Sequence, residues 1–149
     1  MNHRRRHPVC YERCVQLFNR SAPFSAGLLS AVAVGGAIGA TGRWFIAWAF
    51  DWAGAGHLPG AWPWATLVEN VAGCVLIGFA ARLVERDTVS WAFVVTGVLG
   101  GFTTFSAFAV ELNDLAEADR MTLAIVYGAL TLAAGVGATA VGTAGRYRP

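Results

Sequence analysis

Lysine is absent from this 149-residue chain: all eleven basic side chains are arginines. Charged residues of either sign make up only 13% of the chain, about half the ~25% typical of soluble domains. That scarcity excludes an ordinary solvated surface and places the chain in the membrane class. Cysteine is scarce as well. Cys10, Cys14 and Cys74 form an odd set that excludes a disulfide framework. His3, His7, Cys10 and Cys14 lie in a polar terminal arm, and their loose spacing does not define a zinc site. Nucleotide-driven pumping has no motif to support it. Gly135-x-Gly137-x-x-Ala140 matches a dinucleotide fingerprint only superficially, because it lies inside an apolar run with no strand before it. Nothing here supports a soluble enzyme. A secretory signal is not expected, since the first apolar run is longer than the ~7–15 residues of an h-region.

What is present is hydrophobic, at 56% of the chain. Four apolar runs approach the ~20 residues that a bilayer requires. The first covers 26–50 and is interrupted only by Arg43. The second, 62–83, contains Glu69 and Asn70; the third, 91–112, is expected to break near Gly100; the last, 121–141, carries no charge. Trp48, Trp52, Trp62, Trp64 and Trp91 sit near the ends of these runs, as an interfacial aromatic belt does. The expected fold is an all-α membrane protein: one four-helix domain over 26–143, an Arg-rich cytoplasmic arm at 1–25 and a short cytoplasmic tail at 144–149.

Arginine placement sets the orientation. Nine arginines (Arg4, Arg5, Arg6, Arg13, Arg20, Arg82, Arg86, Arg146 and Arg148) fall on the side that holds both termini and the second loop, against Arg120 alone on the other. Both termini are therefore expected in the cytoplasm of a multi-pass plasma-membrane protein. The basic arm reads as a membrane-orienting segment rather than a nucleic-acid binder. The sequon Asn19-Arg20-Ser21 falls on the cytoplasmic side and is rejected as a glycosylation site.

The stretch 97–111, GVLGGFTTFSAFAVE, behaves unlike a passive anchor. Gly100-Gly101 frees the backbone to leave the helix, and Thr103, Thr104 and Ser106 place three hydroxyls at membrane depth. Phe102, Phe105 and Phe108 recur every third residue along roughly one helical face. A helix that breaks in hydrocarbon is tolerated only against protein or a wet cavity, so this stretch is the candidate site for an ion or small solute. Asn70 is either a functional amide or an interhelical hydrogen bond, and Arg43 either a buried partner for an acid or a snorkelling side chain. Glu111 reads as a membrane boundary; Glu69 as a proton carrier, an arginine partner or a pore-rim charge. Tyr127, Thr131, Gly135 and Thr139 follow i, i+4 spacing and make a mostly polar seam on the last helix.

Three stretches, GGAIGATGRW at 35–44, ATLVENVAG at 65–73 and GGFTTFSAFAVE at 100–111, make the chain resemble the Fluc (CrcB-type) fluoride channels over 35–143. The resemblance implies that Phe105 and Phe108 meet fluoride with their ring edges and that Asn70 donates to fluoride or supports the phenylalanine site. It implies further that Tyr127 and Thr131 begin a polar track, with Thr104 and Ser106 beside the pore and Arg43 near its mouth. The backbone carbonyls of Gly100 and Thr103 would hold a structural sodium ion at the centre of an antiparallel, dual-topology-type dimer. Two positions depart from the family's pattern: Glu69 stands where an aliphatic residue is usual, and Gly135 where the track often carries a hydroxyl.

The implied function is passive fluoride flow that lowers cytoplasmic fluoride. Family members are antiparallel dimers, yet the one-sided arginine count suits a fixed orientation. The partner is thus either a second copy or, as the charge bias suggests, an oppositely oriented homologue. The competing readings are a small proton-coupled exporter using Glu69, and a non-conducting subunit that completes another chain's pore.

Overall fold

The computed structural model describes residues 25–55 and 60–144. The His3–Cys14 pattern, the sequon at Asn19, the five arm arginines, and Arg146 and Arg148 of the tail lie outside the described residues. Among the described residues, four helical segments are long and apolar enough to cross a membrane: Ala26–Trp52, Trp64–Leu83, Val89–Glu117 and Met121–Thr143. We label Ala26–Trp52 α1 and Trp64–Leu83 α2. Within the third span, α3 covers 89–102, made of an α-turn Val89–Trp91, a π-helical stretch Ala92–Leu99 and a last turn Gly100–Phe102. α4 is Phe105–Glu117 and α5 is Met121–Thr143.

Hydroxyls cap several of these helices. The Ser25 Oγ accepts the Leu28 amide at 3.2 Å at the start of α1. Thr88 Oγ1 accepts the Trp91 amide at 3.1 Å and so begins α3. Each bond satisfies one of the amides that a helix N-terminus leaves without a partner.

In hydrocarbon, helices associate through close backbone contact rather than apolar burial, and glycines carry that contact here. Between α1 and α3, a Cβ on Gly101 would overlap the Gly36 carbonyl oxygen, and one on Gly35 would overlap that of Phe93. Between α2 and α5, a Cβ on Gly78 would lie 2.6 Å from the Gly142 Cα. The chain is thus two glycine-lined helix pairs, α1 with α3 and α2 with α5, joined through α4.

Burial is inverted relative to a soluble protein. Leu29, Val34, Ile38, Phe45, Leu132 and Val136 are all exposed, as lipid-facing side chains are. The interior holds Leu115, Phe108 and Tyr127 together with Thr66, Glu69, Thr104, Glu111 and Thr131. Those polar groups are costly at membrane depth, and intramembrane ionisable residues of this kind commonly mark a functional path.

Candidate functional site

The junction between α3 and α4 is the organising feature. Gly100 is helical (φ −67°, ψ −33°), and the chain instead turns extended at Thr103 (φ −78°, ψ 152°) and Thr104 (φ −141°, ψ 126°) before α4 starts at Phe105. The chain thus leaves helix geometry at Thr103, three residues after Gly100. The glycines serve the packing of α1 against α3, and the threonines serve the turn. Gly73 of α2 leaves room for Thr103, whose methyl group a Cβ there would overlap.

Asn70 closes this junction from α2. Its Nδ2 donates to the Thr104 carbonyl at 2.9 Å, and its Oδ1 accepts the Thr104 amide at 2.8 Å. One side-chain amide thus replaces two helical hydrogen bonds, which matters where no water competes. Thr104 Oγ1 caps α4 by accepting the Ala107 amide at 3.2 Å, and lies 3.1 Å from Ser106 Oγ. In a continuous helix the Thr104 amide would bond the Gly100 carbonyl and the Ala107 amide the Thr103 carbonyl. Here both donors are used elsewhere, so the carbonyls of Gly100 and Thr103 are released. A third carbonyl, that of Gly101, accepts from Arg43 Nε at 3.4 Å.

An open cleft of about 670 Å³ runs along the junction and α5, with Asn70, Thr103, Thr104, Phe105, Phe108 and Thr131 among its walls. The Phe105 and Phe108 rings lie 5.8 Å apart at 49°. Phe108 is 6% exposed while Phe105 is 76% exposed. The Thr131 hydroxyl is buried without a hydrogen-bond partner, and Thr139 continues the wall toward the end of α5. The cleft therefore combines hydroxyls and an amide with aromatic rings, whose edges are electropositive. It also lies beside the N-terminus of α4, where backbone amides and the helix dipole favour an anion.

Behind Phe108 the Tyr127 ring packs at 5.4 Å. Its hydroxyl donates to Glu111 Oε2 at 2.7 Å, and Thr66 Oγ1 donates to Glu111 Oε1 at 2.5 Å. Glu111 is 4% exposed. It is thus a buried acceptor tying α2, α4 and α5 together, and not the membrane-boundary charge expected at the end of the third run.

The family model described as "CrcB-like protein, Camphor Resistance (CrcB)" matches residues 30–143. The chain belongs to the CrcB-like family. Its relatives include proteins named fluoride-specific ion channel FluC. That of Bordetella petrii is 41% identical over 118 residues, covering 76% of this chain and 87% of the relative. That of Rhizobium etli is 43% identical over 111 residues, with coverages of 71% and 82%. The FluC 2 of Nocardia farcinica is 37% identical over 130 residues, with coverages of 83% and 88%.

In this CrcB-like chain the structure gathers Asn70, Thr104, Phe105, Phe108 and Thr131 around one cleft. Ser106 is exposed beside Thr104. Tyr127 is fully buried behind Phe108, its hydroxyl proton committed to Glu111. Arg43 lines a separate, smaller cavity. The Thr66–Glu111–Tyr127 network had no signal in the sequence, because its members lie 45 and 16 residues apart on different helices. Tyr127→Phe keeps the ring and removes one donor. It should destabilise the protein by roughly 1.5–3 kcal/mol, the range for a hydrogen bond to a charged group, read as a lower unfolding midpoint in detergent.

Proposed function

We propose that this chain is a fluoride-specific channel that passes fluoride passively across the plasma membrane and so lowers its cytoplasmic concentration. The family is one of ion channels rather than enzymes, as the FluC names of its relatives state. The observation that carries the reading is the cleft at the α3–α4 junction. Fluoride is small and strongly hydrated, so a pore must replace its water with short-range donors. The cleft offers hydroxyls of Thr104 and Thr131, the amide of Asn70, the edges of Phe105 and Phe108, and the α4 N-terminus, with the Ser106 hydroxyl beside that of Thr104. Tyr127 acts from behind Phe108 by holding its ring, and Arg43 acts from the separate cavity by holding the Gly101 carbonyl. Expression in a fluoride-sensitive bacterium should restore growth at fluoride levels that arrest the parent; no rescue from well-expressed protein would contradict the reading.

The third span on this reading is one helix broken at membrane depth, and its carbonyls suit a cation. Those of Gly100 and Thr103, released by the Thr104 and Ala107 amides, are the oxygen ligands that a sodium ion takes. Bound there, sodium supplies a fixed positive charge beside the anion path. Asn70 and Arg43 hold the backbone that presents those carbonyls.

The open cleft, with the released carbonyls of the junction and the hydroxyls in its wall, calls for a protein cover in lipid. An oppositely oriented second subunit provides it, either another copy or a homologue. The arginine asymmetry favours a fixed insertion with both termini cytoplasmic, and hence the homologue. Terminal tags should be accessible only from the cytoplasmic side of intact cells; substantial exposure of both termini outside would sink the fixed orientation and restore the homodimer.

A further inference from the structure

The smaller cavity, on the other side of the junction, has a different character from the cleft. It measures about 330 Å³ and is lined by Arg43, Asp51, Thr66, Glu69, Glu111 and Ala107, among others. Glu69 is 2% exposed, and its Oε1 is buried without a hydrogen-bond partner. The contrast with Glu111 is chemical. Both Glu111 oxygens accept hydroxyl protons from Thr66 and Tyr127, whereas one Glu69 oxygen meets no donor.

A carboxylate oxygen buried without a partner is strongly disfavoured in a low-dielectric interior. Arg43 is the cationic residue in the cavity lining. Facing Glu69 from α1 are Arg43 and the exposed Asp51; from α4, Glu111; from α5, Tyr127 through Glu111. The 89–102 segment contributes no titratable residue. The need that the structure shows is local: one Glu69 oxygen, buried at the cavity wall without a donor. We propose that this cavity binds one small positive charge, a proton or a monovalent cation, at Glu69, and that its occupancy sets the rate of anion passage through the neighbouring cleft.

The coupling follows from position. Glu69 precedes Asn70, the residue that holds Thr104 in the cleft wall. Ala107, in the cavity wall, is adjacent in sequence to Phe108, in the cleft wall. When the cavity is occupied, the charge of Glu69 is neutralised. When it is empty, the Glu69 carboxylate places negative charge near the anion path, where a low-dielectric interior screens it weakly. The site is distinct from the one formed by the Gly100 and Thr103 carbonyls.

This inference rests on the channel reading for its flux arm, and its test separates the two. The full-length protein, with its partner if one is required, is reconstituted in liposomes, and fluoride efflux is corrected for protein-free vesicles. Acidity is varied at fixed sodium. Sodium is then replaced by potassium or by a bulky organic cation at fixed pH. Efflux should fall about tenfold when the occupying charge is withdrawn, and Glu69→Gln should keep the higher rate and lose the dependence. Dependence on pH alone identifies a proton; dependence on sodium or potassium identifies a monovalent cation. The same conditions should shift the wild-type melting temperature in detergent, since a ligand bound to the native state stabilises it, and Glu69→Gln should reduce that shift to the part owed to sodium at the Gly100 and Thr103 carbonyls. If Glu69→Gln does not fold, Glu69→Val serves in its place. Wild-type behaviour flat in both readouts, or a dependence unchanged by the substitution, overturns the proposal. Absent flux with an intact Glu69-dependent melting shift instead overturns the channel reading and leaves the site standing.

Discussion

Phe105→Ile is expected to lower fluoride efflux by about tenfold or more while leaving the folded protomer nearly as stable as before. Phe105 is 76% exposed on the protomer, against 6% for Phe108, so its removal leaves no cavity in the core and should cost little in folding. Its ring nonetheless forms one wall of the cleft and lies 5.8 Å from Phe108. A saturated side chain has no electropositive edge to offer an anion. If that edge contributes about 1.5 kcal/mol, the low end for a contact with a charged group, its loss slows passage about tenfold. Phe108→Ile should lose flux as well, but with a stability penalty, because Phe108 belongs to the cluster with Tyr127, Leu115 and Ala124. The pair of variants therefore separates a pore effect from a packing effect. Unaltered efflux in both would favour the reading of this chain as a non-conducting subunit.

Asn70→Leu is expected to remove efflux almost entirely and to loosen the junction itself. The leucine fills similar space but leaves the Thr104 amide and carbonyl without the partners that Asn70 supplies at 2.8 and 2.9 Å. Each orphaned group costs roughly 1–3 kcal/mol, a large fraction of the ~5–15 kcal/mol that holds a typical fold. Two observables should move together: efflux, and amide hydrogen exchange at Thr104 and the first turn of α4. Asn70→Asp is the sharper variant. A carboxylate can still accept the Thr104 amide but cannot donate to its carbonyl, and it adds a negative charge to the wall of an anion path. It should silence efflux with a smaller rise in exchange than leucine causes. Wild-type exchange at Thr104 in both variants would contradict the role assigned to Asn70.

Much of the architecture was legible in the residues, for physical reasons. Scarce charge and four apolar runs leave few alternatives to four spanning helices, because a backbone in hydrocarbon must satisfy itself. The junction announced itself through GGFTTFS, a combination a passive anchor has no use for. Its mechanics were less visible. Gly100 and Gly101 suggested freedom to break, yet both stay in the helix and Gly101 serves close contact with α1. Thr103 and Thr104 make the turn because Thr104 caps α4 while Asn70, 34 residues away, takes its backbone bonds. Glu111 was misjudged for a similar reason. At the end of an apolar run a carboxylate ordinarily marks an interface, and its donors Thr66 and Tyr127 lie on other helices with no spacing rule to connect them. Glu69 stood out as an acid within an apolar run, but its unpartnered oxygen and the cavity before it are properties of the packed helices alone.

The central claim is that the junction cleft is a path for fluoride, and efflux from liposomes tests it most directly. The full-length protein is purified and reconstituted, first alone and then with its oppositely oriented homologue, into vesicles loaded with potassium fluoride. Potassium permeability is supplied by an ionophore so that charge can balance. The account predicts rapid passive efflux of fluoride, with no comparable efflux of chloride, in at least one of the two preparations. Fluoride retained in both, at the rate of protein-free vesicles, would contradict it.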